Sequence, residues 1–127
     1  MVRAVVLLAV ALSACANPHG GPAGSCSQPG DATCLDTATI RVCQGGQWLE
    51  APCRGTQGCY LELDKVYCDQ SGDEDGDACL AQYEGAAMCS MYEIDQALTC
   101  KSGRWVLTVC STACVSLGST SVACPTS

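Results

Sequence analysis

Thirteen cysteines in 127 residues are the side chains best able to do chemistry in this chain. A thiol can form a disulfide, ligate a metal, act as a nucleophile or carry a lipid, and spacing decides among these. Twelve of them fall into two sets of six. The first is Cys26, Cys34, Cys43, Cys53, Cys59 and Cys68; the second is Cys79, Cys89, Cys100, Cys110, Cys114 and Cys124. Cys15 stands apart, just behind an apolar run. Zinc sites favour C-x2-C or C-x4-C pairs and often recruit histidine. Here no C-x2-C occurs, the closest pair is Cys110 and Cys114, and the sole histidine is His19 in a Gly/Pro-rich stretch. A dithiol redox enzyme would use C-x-x-C, which is also absent. The twelve cysteines therefore read as structural disulfides, with no metal and no cofactor. Six thiols allow fifteen connectivities, and spacing does not choose among them. Pairing is expected to stay within each set.

The N-terminus sets the compartment. Arg3 supplies a positive charge, and residues 4–12 are uninterruptedly apolar. That run is too short to span a bilayer, which takes about 20 residues, and it suits a secretory signal. Leu12-Ser13-Ala14-Cys15 resembles the bacterial lipobox. The resemblance implies a lipoprotein signal peptide over 1–14, cleavage after Ala14, and a diacylglycerol thioether on Cys15 with an acylated (for example palmitoylated) amino terminus. The expected location is the cell envelope, exported and held to a membrane by the lipid anchor. Inner and outer membrane stay open as alternatives, because Ala16 does not discriminate. Export is also what lets disulfides persist.

The formal charge is −7, and losing Arg3 with the signal leaves five basic against thirteen acidic residues, near −8. That argues against nucleic acid or an anionic membrane surface as partner, since both draw basic patches. The chain has no Phe. Modules this small bury too little apolar surface to hold themselves. Disulfides worth roughly 2–4 kcal/mol each supply the difference.

Five segments follow from composition. After the signal, 15–25 (CANPHGGPAGS) reads as a flexible tether. Module 1 spans 26–68, an acidic linker 69–78, and module 2 spans 79–124. The linker acids Asp73, Glu74, Asp75 and Asp77 lack the twelve-residue pattern of a calcium loop, so a solvated, self-repelling spacer is expected. Cysteine steps are 8, 9, 10, 6 and 9 in the first module and 10, 11, 10, 4 and 10 in the second. The centres, CQGGQWLEAPC from Cys43 and CKSGRWVLTVC from Cys100, both fit C-x2-G-x-W-x4-C. The chain is internally duplicated.

Each centre reads as a β-hairpin. Residues 39–42 and 105–109 are rich in β-branched and aromatic residues, and Gly46 and Gly103 occupy the same turn offset. A three-residue loop with a left-handed glycine is expected there. Further short strands are expected near Cys34, over 60–63 with 66–68, and over 94–99. No stretch behind the signal keeps helical periodicity. The fold class is small, disulfide-rich and all-β: two tandem six-cysteine modules built around a β-hairpin.

Trp48 and Trp105 are the candidate ligand contacts. Each lies an odd number of residues from both flanking cysteines, so alternation along a straight strand turns it away from a cysteine-facing core. Trp48 shares its face with Glu50 and Pro52, which suits exposure. Trp105 shares its face with Leu107 and Val109, which suits a second buried layer. The competing reading makes each Trp the main hydrophobe of a small core. Nothing points to catalysis: His19 lies in the tether and no Gly-x-Ser-x-Gly elbow occurs. The expected function is non-enzymatic display of two rigid modules for binding or adhesion, with a protein or glycan as ligand. Alternatives are a structural envelope component without a discrete ligand, and a hydrolase inhibitor using residues 54–58 as its exposed loop.

The lipobox, the paired six-cysteine modules, C-x2-G-x-W-x4-C, Gly58-Cys59 and the ending Tyr67-Cys68-Asp69-Gln70-Ser71 together resemble the cysteine-rich repeat lipoproteins of the myxobacterial type. The resemblance covers nearly all of the chain behind the signal. It implies location and architecture rather than an activity. Module 2 departs from it: Ala113 stands where Gly58 does, and the Asp-Gln-Ser ending is absent.

Overall fold

The computed structural model describes residues 17–127, so the expected signal over 1–14 and the lipidation site Cys15 lie outside the described residues. Short β-branched and aromatic runs broken by tight turns form eleven strands. In module 1 these are β1 (Gly21–Ser25), β2 (Ala32–Asp36), β3 (Thr39–Gln44), β4 (Gln47–Pro52), β5 (Cys59–Glu62) and β6 (Lys65–Cys68). Module 2 has β7 (Ala87–Cys89), β8 (Gln96–Lys101), β9 (Arg104–Val109), β10 (Val115–Ser116) and β11 (Val122–Ala123). All pairings are antiparallel, in sheets ordered β1-β4-β3-β2, β5-β6, β7-β8-β9 and β10-β11. The helical content among the described residues is one 3-10 turn, Ala81–Tyr83. The chain is a small disulfide-rich all-β protein.

Six disulfides staple it, and each joins cysteines of the same set. The pairs are Cys26–Cys43, Cys34–Cys59 and Cys53–Cys68, then Cys79–Cys100, Cys89–Cys114 and Cys110–Cys124. Both halves thus join first to third, second to fifth and fourth to sixth. Backbone hydrogen bonds repeat as well. The Cys43 N–H donates to the Asp31 carbonyl and the Cys100 N–H to the Ala86 carbonyl, while Cys53 donates to Ala38 as Cys110 does to Asp95. Even the residue before the first cysteine is matched: Ser25 pairs with Gln47, and Ala78 with Arg104.

Three expectations are corrected. The hairpin turns hold two residues, not three, because Gln44 pairs with Gln47 and Lys101 with Arg104. Both turn residues are left-handed, Gly45 and Gly46 in one and Ser102 and Gly103 in the other. This is the type I′ geometry whose twist matches the strands.

The flexible tether is the second. Its residues 21–25 are β1, hydrogen-bonded along the outer edge of β4, where they cover backbone groups that would otherwise lie open. Gly20 permits this approach, since a Cβ there would collide with the Glu50 carbonyl.

The solvated spacer is the third. Gln70, Asp73 and Asp77 are all buried, Asp77 completely. The reason is that donors elsewhere in the chain turn onto these acids. Two apolar clusters flank them. One joins Ile40, Ala51, Cys53, Cys59 and Cys68 of module 1 with Ala78 and Leu80. The other is Cys79, Leu98, Cys100 and Trp105, and Tyr83 packs against both. The modules therefore share a core across the junction.

Candidate functional site

The junction is polar at its centre. Arg54 Nε and Nη2 donate to Asp77 Oδ2 at 2.7 Å and Oδ1 at 3.1 Å. His19 Nδ1 lies 2.8 Å from Oδ1, and the Glu74 N–H donates to Oδ2 at 2.8 Å. Arg104 Nη1 donates to the carbonyls of His19, Gly20 and Gly76. Burial alone would raise the Asp77 pKa, but hydrogen bonds from Arg54, Glu74 and His19 outweigh it and hold the carboxyl below the usual range. Asp73 is the opposite case. Burial pushes its pKa up to about 8, against the pull of the Arg54 backbone N–H that donates to it at 3.0 Å. Gln70 Nε2 donates to the same carboxyl at 2.9 Å. The Trp105 indole N–H stands near enough to favour the ionised form, yet without the geometry of a hydrogen bond. Asp75 accepts from the Leu107 N–H. Asp73, Asp75 and Asp77 are thus occupied by protein donors, so the segment is no solvated spacer, although Glu74 stays exposed.

This junction fixes a groove of about 1030 Å³ between the modules. One wall is the β5–β6 hairpin, where Tyr60 pairs with Tyr67 and the rings stack with centroids 5.3 Å apart. Tyr60's phenol is pushed above its ordinary pKa by desolvation and then by Glu62, so it stays neutral. Tyr83 and Met88 come from module 2, and the Gly30–Ala32 stretch enters beside β2. Gln44, Gln57 and Gln82 add amides, and Asp31, Asp64 and Asp69 add carboxylates. Apolar faces with a few convergent polar groups are what ligand sites offer.

Neither tryptophan provides the exposed contact expected from parity. Trp48 stands directly across from Cys43 and Trp105 from Cys100, so each shares a face with its cysteine rather than opposing it. The count back to Cys43 or Cys100 ran across a turn, where alternation does not carry over, whereas the count on to Cys53 or Cys110 follows a single strand to its end. Trp105 is only 3% exposed, with Tyr83 at 6.3 Å, so it is a core residue that merely underlies the groove. Trp48 is half-buried under Arg41, whose guanidinium carbon lies 5.8 Å from the ring, and it does not line the groove. Arg41 also donates to Glu50 at 2.8 Å. Leu98 and Leu107 occupy the equivalent positions around Trp105. Trp105 is buried in a cluster with Cys79, Leu98 and Cys100, with Tyr83 and Met88 packed against it, whereas Trp48 has the Arg41–Glu50 ion pair beside it.

Of the loop over 54–58, Thr56 and Gln57 are exposed while the residues before them are held in place. Arg54 is locked onto Asp77, and Gly55 presses so closely on Asp69 that a Cβ would collide with its carboxyl. Cys79, Glu84 and Cys100 converge like metal ligands. The two sulfurs are bonded to each other, however, and Glu84 accepts from the Ser102 and Gly103 N–H groups.

The tyrosine groove went unseen because its walls come from segments distant in sequence. The one available signal was the presence of Tyr60 and Tyr67 within the 60–63 and 66–68 strands. Among the described residues no helix is long and apolar enough to cross a membrane. The six disulfides fit an oxidising compartment outside the cytoplasm. Comparison with family models, curated proteins and solved structures finds no match to this chain.

Proposed function

We propose that the chain is an exported, non-enzymatic lipoprotein of the cell envelope, anchored through Cys15, that binds a ligand in the groove between its modules. The Leu12-Ser13-Ala14-Cys15 run and the likeness to cysteine-rich repeat lipoproteins support the anchor. The observation that carries the binding reading is the stacked Tyr60–Tyr67 pair, with Tyr67 40% exposed, on the wall of a groove held open by disulfide-stapled walls. Rigid tyrosines supply contact area at low entropy cost. A protein or glycan of the envelope is the ligand class.

Metabolic labelling with palmitate tests the anchor: wild type incorporates label, and Cys15→Ser does not. Glycan and peptide arrays probed with the full oxidised chain test the groove. Tyr67→Ala is expected to weaken every saturable hit about tenfold. Hits that survive Tyr67→Ala unchanged would remove the groove from the account.

A further inference from the structure

We propose, building on that reading, that the groove's ligand is an extended basic peptide segment that pairs with the free edge of β2. The internal duplication supplies the argument. In both modules a left-handed glycine makes a bulge opposite the third cysteine: the Gly30 N–H donates to the Cys43 carbonyl as Gly85 does to Cys100. The next residues but one, Ala32 and Ala87, are non-hydrogen-bonded partners of β3 and β8, so their backbone groups point away from their own sheets. In module 2 that outward N–H is taken, since Ala87 donates to the Thr120 carbonyl at 2.9 Å. In module 1, among the described residues, no equivalent segment covers Ala32, and β2 ends its sheet. Ala32 lines the groove. The slot that Thr120 fills in one module is open in the other, and it faces the cavity.

An unpaired edge is a template for an added strand. The charge of the lining says which strand. Among the described residues, Asp31, Asp64 and Asp69 face the groove against the single cation Lys65, and the whole chain carries −7. Tyrosine faces beside carboxylates suit lysine or arginine side chains. A saccharide could stack on the same rings, but it would leave the Ala32 backbone groups without a strand partner.

Fluorescence anisotropy with the full oxidised chain decides. The probes are a labelled nonapeptide alternating Thr and Lys, its Gln and Glu counterparts, the Lys peptide N-methylated at alternate residues, chitohexaose and its deacetylated form. The Lys peptide is expected to bind, with the Glu peptide and N-methylated peptide each at least about tenfold weaker. Joint Asp31→Asn and Asp64→Asn replacement, at two exposed positions, should cost a similar factor. If N-methylation has no effect, strand addition is wrong. If a saccharide binds in a Tyr67-dependent way while no peptide does, the peptide proposal falls and the groove stands. If no probe binds, or binding ignores Tyr67→Ala, both fall.

Discussion

Arg54 holds Asp77 with two hydrogen bonds, 2.7 and 3.1 Å long, and Asp77 is wholly buried. Through this pair the loop behind Cys53 is tied to the residue that also anchors module 2's hairpin, because the Trp105 N–H donates to the Asp77 carbonyl. The disulfides close each module on itself, so the junction depends on non-covalent contacts alone. A buried carboxylate stripped of its guanidinium is costly, on the order of 3 kcal/mol or more. Arg54→Ala is expected to lower stability by about 3 kcal/mol. Hydrogen exchange should show amides 76–78 and Trp105 losing protection while the centre of β3 keeps it. Equal loss throughout would mean that the modules do not open separately from one another.

Asp73 makes stability depend on pH in the less familiar direction. Its carboxyl titrates near 8 in the folded chain because of burial, against ~3.9 in an unfolded one. Between those values the native state holds a proton that the unfolded chain has released, so stability falls as pH rises. The contribution is complete below about pH 4 and is lost as pH climbs through about 8. Asp77 and Asp69 act oppositely: their carboxyls are lowered, and their stabilisation disappears only in acid. Urea unfolding should therefore give a higher midpoint at about pH 5 than at about pH 8.5. Asp73→Asn should flatten that difference. A variant that keeps the wild-type slope would assign the effect to another group.

The two hairpins were legible because C-x2-G-x-W-x4-C carries the turn glycine, the whole second strand and the end of the first in eleven consecutive positions. Asp77 was not legible. Its partners Arg54 and His19 lie 23 and 58 residues away, and a run of acids reads locally as solvated charge. The pairing order of the cysteines was hidden for a similar reason, since proximity arises only once the hairpins fold.

The tryptophans give a third prediction. Trp48 and Trp105 match in the motif, yet Arg41 and Glu50 flank the first while Leu98 and Leu107 flank the second. Acrylamide should quench Trp48 strongly and Trp105 hardly at all, resolved with single-Trp variants. Trp105→Ala empties a buried site and is expected to cost about 3–5 kcal/mol. Trp48→Ala should cost under about 2 kcal/mol, given the partial exposure of the ring. Equal costs would contradict the difference in burial.

The turn between β5 and β6 offers a change that should stabilise. Leu63 and Asp64 connect Glu62 to Lys65 as a two-residue loop, and both are left-handed, with φ of 47° and 62°. Leucine is poorly suited to that conformation, and asparagine followed by glycine is the favoured pair for it. Leu63 is 91% exposed, so removing its side chain surrenders almost no burial. Leu63→Asn is expected to gain about 0.5–1 kcal/mol, and adding Asp64→Gly should gain further from relief at the second position. Asp64 lines the groove while Leu63 does not, so the single variant should leave ligand binding unchanged and the double variant should weaken cationic ligands. Comparing thermal midpoints with binding for the two variants separates the turn's conformational role from its charge. A Leu63→Asn chain no more stable than wild type would show that the loop relaxes away from the left-handed pair.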